Sequence, residues 1–257
     1  MSLLSIQLYS VKEAANKDFL GTVQRVGEMG YDAVQFAGFF NTNSNDLRRV
    51  LDNQNLKCGG SHVLFDTIES SELLKKEIEY NQVIGNNLII CAALPAQMRD
   101  SEEGYKRAAE QLNKAGELCK EQGLQLGYHN HSFEFVKIKD TTGFELLYNE
   151  TSSELLKMEL DCYWVKNAGY DPIDFINRYT DRCISLHIKD IKKLNDQHIS
   201  VEIGEGELNL SSILLSASKQ QVKYLTVEQE HFILDPMVSA EKNIKSLRHL
   251  VSNKLNK

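Results

Sequence analysis

Short apolar runs alternate with longer amphipathic runs eight times over 257 residues, and this count predicts an α/β chain folded as one (β/α)8 TIM barrel, a single domain over residues 1–257. Two further observations favour a closed barrel over an open, doubly wound sheet. No Pro/Gly/Ser-rich linker or low-complexity segment divides the chain, which has only 3 prolines. The turn after the first strand, Tyr9-Ser10-Val11-Lys12, also lacks the Gly-rich fingerprint of a dinucleotide-binding sheet.

The elements follow in order. Ser5–Tyr9 reads as the first strand, and a helix over Asp18–Met29 stops at Gly30. Strand two is Tyr31–Phe36, followed by a helix over Asn45–Asn53 with Leu47, Val50 and Leu51 on one side. Strand three covers Leu56–Ser61, and the helix Ser71–Ile84 ends at Gly85. Strand four is Asn87–Cys91. Glu102–Gln122 is the clearest helix, with Asp100 or Ser101 as cap, acidic residues in the first turn and Gly123 as stop. Strand five, Leu124–Tyr128, precedes a short helix near Gly143–Asn149; strand six is Lys157–Leu160. Asp171-Pro172 starts the next helix as N-cap and N1. Arg182–Ile188 is strand seven, and after a loop come a helix over Leu210–Lys219, strand eight at Val222–Val227 and a final helix over Pro236–Val251.

Composition narrows the function classes. A net charge of −7 and a pI near 5.6, with no dense Lys/Arg cluster, argue against nucleic acid as a partner. Five widely spaced cysteines, Cys58, Cys91, Cys119, Cys162 and Cys183, make neither a disulfide framework nor a zinc knot and suit a reducing compartment. No signal peptide or membrane-spanning run is legible, so the expectation is a cytoplasmic protein with no membrane partner.

In such a barrel, chemistry sits at the C-terminal strand ends. Strand two ends blandly in Phe36-Ala37-Gly38, and strand three ends near His62. Strand five runs into Tyr128-His129-Asn130-His131-Ser132-Phe133-Glu134-Phe135. Strands six, seven and eight read Met158-Glu159-Leu160-Asp161, Leu186-His187-Ile188-Lys189-Asp190 and Val227-Glu228-Gln229-Glu230. Four successive strands thus each offer a metal-capable side chain, the simplest set being Glu134, Asp161, His187 and Glu228. Three carboxylates and one imidazole favour one divalent ion that accepts oxygen ligands: Mn2+, Mg2+, Co2+ or Zn2+. Each has a plainer reading too. Asp161 could cap a following turn, Glu228 could pair with Lys189 or Lys223, and His187 could be a core histidine bonded to a carbonyl. His62, His131 and Lys189 are weaker candidates, as substrate contacts. Lys189 could equally pair with Glu159 or Asp190. The acidic Gly204-Glu205-Gly206-Glu207 turn would repel a phosphate.

The ordered set YHNHSFEF at 128–135, LDCYW at 160–164, HIKD at 187–190 and GEGE at 204–207 resembles the sugar phosphate isomerase/epimerase superfamily of xylose isomerase-like TIM barrels. The likeness begins at Ile6-Gln7-Leu8-Tyr9-Ser10-Val11-Lys12-Glu13 and covers nearly the whole chain. It implies one divalent metal held by Glu134, Asp161, His187 and Glu228, with Glu134 and Glu228 also serving as the catalytic acid/base pair on opposite faces of a sugar carbon. Two departures matter. Trp164 stands where similar ketose epimerases place a histidine, and the extra ligands of the three-zinc nucleases in this superfamily are missing.

The expected function is therefore a divalent-metal-dependent sugar isomerase or epimerase, converting a small-molecule keto sugar or sugar derivative through an enediolate. The alternatives are an inosose or keto-sugar dehydratase or lyase, and a non-catalytic sugar-binding barrel. Trp164 could wall the sugar ring or simply pack the barrel. Superfamily members are often dimers or tetramers, so a homo-oligomer stays open, although no interface signature is legible.

Overall fold

In the computed structural model, which describes residues 1–253, eight parallel strands close on themselves. They are β1 (Leu3–Gln7), β2 (Ala33–Phe36), β3 (Lys57–Val63), β4 (Leu88–Cys91), β5 (Gln125–His129), β6 (Leu156–Asp161), β7 (Cys183–Ile188) and β8 (Tyr224–Val227). Each strand pairs with its sequence neighbours, and β8 closes the ring against β1 with Leu3 opposite Tyr224. The expected (β/α)8 barrel is the observed fold.

Local chemistry sets the helix ends. Ser70 accepts from the Leu73 N–H at the start of Ser71–Ile84, and Gly85 ends that helix with a left-handed φ of 74°. Ser101 caps Glu102–Glu121 through the Gly104 N–H. Asp171 and Pro172 open Pro172–Arg178 as predicted. Two hairpins are additions to the sequence reading: Lys137–Ile138 with Thr141–Thr142, and Asp190–Leu194 with Gln197–Val201, where a loop was expected. A short helix, Cys162–Asn167, also follows β6 directly.

Strand parity divides the barrel. Side chains alternate across a strand, so Tyr128 and His129 point to opposite sides of β5, while Glu159 and Asp161 share one side of β6. Ala33, Leu88, Ile90 and Tyr224 form a small apolar cluster separate from the main core. Farther along the same faces of β2 and β8 come Gln35, Thr226 and Glu228, all buried. The interior therefore changes from apolar to polar toward the C-terminal strand ends. The outward-facing side chains, such as Leu126, Tyr128, Met158 and Leu160, join the large core under the helices. One backbone irregularity serves the polar layer. The β2–β3 register shifts between Val34 and Gln35, Gly60 takes a φ of 127° there, and the Gly59 carbonyl accepts from the Gln35 amide.

The GEGE turn is structural. The Asp190 carboxylate accepts the backbone N–H groups of Ile191, Gly204, Gly206 and Leu208 at 2.9–3.1 Å. A Cβ on Gly206 would lie 2.4 Å from Asp190 Oδ1, so this close approach requires glycine. Asp190 is occupied here, and Lys189 finds its partners elsewhere.

Candidate functional site

The C-terminal end of the barrel holds a cavity of about 460 Å3, lined by residues that include His62, His129, His131, Trp164, Glu228 and Glu230. His129, Asp161, His187 and Glu228 lie beside it, each able to place one ligand atom within 4.8 Å of the others. Asp161, His187 and Glu228 thus come together as expected. Glu134 does not join this group.

Strand parity and local capping explain where Glu134 goes. Its carboxylate accepts the Tyr128 hydroxyl and the His131 N–H, the second at 2.8 Å. Tyr128 faces away from the barrel interior, and Glu134 reaches back three residues to the His131 N–H, the carboxylate half of a capping box around the 3-10 turn Ser132–Phe135. The carboxylate expected in the site is sealed beneath the helices instead. His129, on the inward face of β5, takes the remaining place in the cluster.

Asp161 fills both roles its position allows. Oδ1 caps the next helix by accepting the Trp164 N–H at 2.9 Å. Oδ2 is buried and has no hydrogen bond. The Lys189 ammonium lies 3.0 Å away, yet it is not aligned to donate. The same oxygen lies 3.8 Å from His129 Nε2 and from His187 Nδ1, beyond hydrogen-bond reach. Such gaps match the separation of two ligands sharing one ion with bonds of about 2.0–2.2 Å. Two carboxylate oxygens and two imidazole nitrogens, one oxygen without a donor, fit a divalent ion such as Mn2+, Co2+ or Zn2+.

Behind the imidazoles sits Glu159. Its Oε1 lies 2.7 Å from His62 Nε2, 3.1 Å from His129 Nδ1 and 3.0 Å from His187 Nε2. Gln35 binds it too, donating to Oε2, while Gln35 Oε1 is 2.7 Å from His187 Nε2 and accepts from Gln7. One carboxylate therefore engages one nitrogen of His129 and of His187 and turns the other nitrogen toward Asp161 and Glu228. This is the arrangement by which an outer carboxylate fixes the tautomer and direction of a ligating histidine.

The charges are strongly coupled. Burial opposes ionisation of Glu159, but His187 and His62 outweigh it and hold its carboxyl well below the usual range. Burial likewise disfavours charge on His187, yet Glu159 and Glu228 push its imidazole up to about 10. Lys189 is fully buried, with Nζ 2.7 Å from both Glu228 and Glu230. Those carboxylates and Asp161 overcome its desolvation and hold it as ammonium. Glu228, held in turn by Lys189 and His187 against burial, stays ionised. Lys189 thus pairs with site carboxylates, and neither Glu159 nor Asp190 is its partner. His129 and His131 remain neutral. Burial lowers them to about 4 and about 3, helped at His129 by the charge of His187. His62 and His131, two expected substrate contacts, both line the cavity.

Glu134 supports a separate prediction. Burial pushes its carboxyl up to about 8, against the opposing hydrogen bonds from Tyr128 and His131. A folded-state value above the unfolded one stabilises the fold at acid pH. That contribution is lost as pH rises from about 4.5 toward about 8, by up to about 1.4 kcal/mol per pH unit. Glu134→Gln mimics the neutral acid, so its melting temperature should fall less than the wild type's across this window. The variant should also bind Mn2+ as the wild type does. A folded Glu134→Gln protein that no longer binds Mn2+ would restore Glu134 to the site.

A family model for the xylose isomerase-like TIM barrel matches residues 23–250. The chain belongs to this family. Its curated relatives include an inosose dehydratase of Clostridium perfringens, 28% identical over 171 residues, 58% of this chain and 57% of that protein. The matched stretch spans less than two thirds of that relative's length. Among solved structures, a sugar phosphate isomerase/epimerase of Parabacteroides distasonis superposes with a TM-score of 0.82 at 24% identity, covering 96% of both chains. An L-ribulose 3-epimerase superposes with a TM-score of 0.75 at 14% identity, over 98% of this chain and 95% of that one. Within this family fold, no helix among the described residues is long and apolar enough to cross a membrane.

Glu159, Gln35 and Glu230 are site residues that the sequence reading passed over, and His129 was not among its proposed ligands. A signal for Glu159 was present. It lies two residues before Asp161, so a strand places both carboxylates on the same face.

Proposed function

We propose that this chain is a divalent-metal-dependent enzyme that enolises a keto sugar or keto-inositol derivative. The observation carrying the reading is the convergence of His129, Asp161, His187 and Glu228 beside a cavity whose walls bear imidazoles and carboxylates. These four residues would hold the ion, which when bound supplies a Lewis acid for negative charge developing on a carbonyl and its neighbouring hydroxyl.

The chain's own groups position and move the proton. His62 contacts Glu159 through Nε2, and Nδ1 has no protein partner among the described residues. In the reading proposed here, that nitrogen takes the proton from the carbon beside the carbonyl, and Glu159 stabilises the imidazolium formed. Lys189 donates to Glu228 and Glu230 and keeps Glu228 ionised.

Two fates are open to the resulting enediolate. Isomerisation can run on one proton carrier working a single face, but epimerisation needs a second carrier across the substrate; with Glu134 outside the cavity, that task would fall to Glu228 or Glu230, both tied to the Lys189 ammonium. Dehydration asks less than epimerisation. The proton held by His62 can pass to a β-hydroxyl on the same face, which leaves as water while the carbon–carbon double bond forms. The position of Glu134 therefore favours the dehydratase alternative over epimerisation, and dehydration is the activity named for the Clostridium perfringens relative. A small-molecule sugar derivative remains the proposed partner, in place of nucleic acid or membrane.

The test is incubation of 2-keto-myo-inositol and a panel of ketoses with Mn2+-loaded protein in D2O, followed by NMR. Expected are deuterium at the carbon beside the carbonyl and water loss from the keto-inositol, both abolished by chelation. Inversion without water loss would return the reading to an epimerase. No exchange on any substrate would favour a sugar-binding barrel without turnover.

A further inference from the structure

Two buried nitrogens in the cavity wall have no partner: His131 Nδ1 and Trp164 Nε1. Both rings line the cavity, with centroids 5.7 Å apart. Neither is free to turn away. His131 stacks on Phe133 at 5.0 Å and meets His129 edge-on at 5.1 Å. Trp164 packs edge-on against Tyr163 at 4.9 Å, and its backbone N–H is tied to Asp161. An indole nitrogen can only donate, whereas a neutral imidazole nitrogen donates or accepts according to tautomer. Burying such groups unsatisfied is costly, and where they line a cavity a ligand can satisfy them. The surrounding surface is aromatic and has Lys189 Nζ 5.4 Å from the Trp164 ring centre.

We infer that His131 and Trp164 form a recognition wall for a cyclic polyol, the indole N–H donating to one ring hydroxyl and His131 Nδ1 pairing with a neighbouring hydroxyl. The aromatic faces take the C–H side of the ring. An open-chain sugar offers no comparable flat face, so the wall selects a pyranose or inositol ring. This deepens the proposed function by naming the substrate class and rests on that reading for its catalytic meaning.

Trp164 is the chain's only tryptophan, so its emission reports this wall alone. The probes are myo-inositol and 1,5-anhydro-D-glucitol, two cyclic polyols without a carbonyl, and D-sorbitol as the open-chain control. Saturable emission changes are expected with the cyclic probes and not with D-sorbitol. His131→Phe should weaken cyclic binding about threefold to tenfold, the usual value of one neutral hydrogen bond. Trp164→Phe keeps an aromatic face and removes the donor. Followed by ligand-observed NMR, it should lose affinity to a similar degree. Equal responses to cyclic and open-chain polyols, no response to either, or unchanged affinity in both variants would overturn the inference. Because these probes neither enolise nor require the metal, cyclic binding without D2O exchange would support the wall while contradicting the catalytic reading.

Discussion

Asp161→Asn should fold like the wild type and lose deuterium exchange by on the order of 10³-fold, because a lost Lewis acid removes several kcal/mol of charge stabilisation. Asparagine serves as an N-cap about as well as aspartate, so Oδ1 can still accept the Trp164 N–H while the charge on the other atom disappears. That separation of roles makes the variant informative. Isothermal titration with Mn2+ should show weakened binding, and the melting temperature of the metal-free protein should move little. Wild-type exchange in a folded Asp161→Asn protein would remove Asp161 from the site.

Glu159→Ala should produce the largest loss of stability of any single change in the polar layer. Its carboxylate contacts His62, His129 and His187 and accepts from Gln35, all within the barrel. Removing one partner from a buried ionic network typically costs about 3–5 kcal/mol, here on the order of 10 °C in melting temperature. Glu159→Gln keeps the volume and part of the hydrogen bonding, so it should fold better. It should still lower metal affinity by about 10–100-fold, because the imidazoles lose the anion that orients them. Thermal melts and metal titrations of both variants check this. A Glu159→Ala protein that melts within a degree or two of wild type would show that the network has little energetic weight.

The barrel was legible because its signals are local and repeated. Ser70 and Gly85 mark the ends of one helix, and Asp171-Pro172 marks the start of another. The hairpin after β7 was not legible. Its strand Asp190–Leu194 ends in exposed Lys192, Lys193 and Leu194, so no buried face imposes a clean alternation. Its base depends on Asp190 gathering N–H groups from as far along the chain as Leu208.

In the site, Asp161, His187 and Glu228 were readable as polar groups ending apolar strands. The fourth position shows the limit of that reasoning. The strand-end reading and the motif resemblance both pointed to Glu134, while two physical signals pointed elsewhere. Glu134 stands three residues after His131, the spacing of a capping box, and its hydroxyl partner Tyr128 faces outward on β5. His129, adjacent to Tyr128 and of opposite parity, faces inward. The Lys189–Glu228 pair was among the plainer readings and is present, but the contacts from Lys189 to Glu230 and from Glu159 to three histidines join strands distant in sequence. No spacing rule within one segment yields them.

The most direct measurement is the anomalous-scattering map of a crystal of the full chain soaked in Mn2+. The account predicts one ion bonded to His129 Nε2, Asp161 Oδ2, His187 Nδ1 and Glu228, with Glu159 behind the two imidazoles and Glu134 still bound to Tyr128. An ion ligated by Glu134 in place of His129, or no ion among these residues at saturating Mn2+, would contradict it.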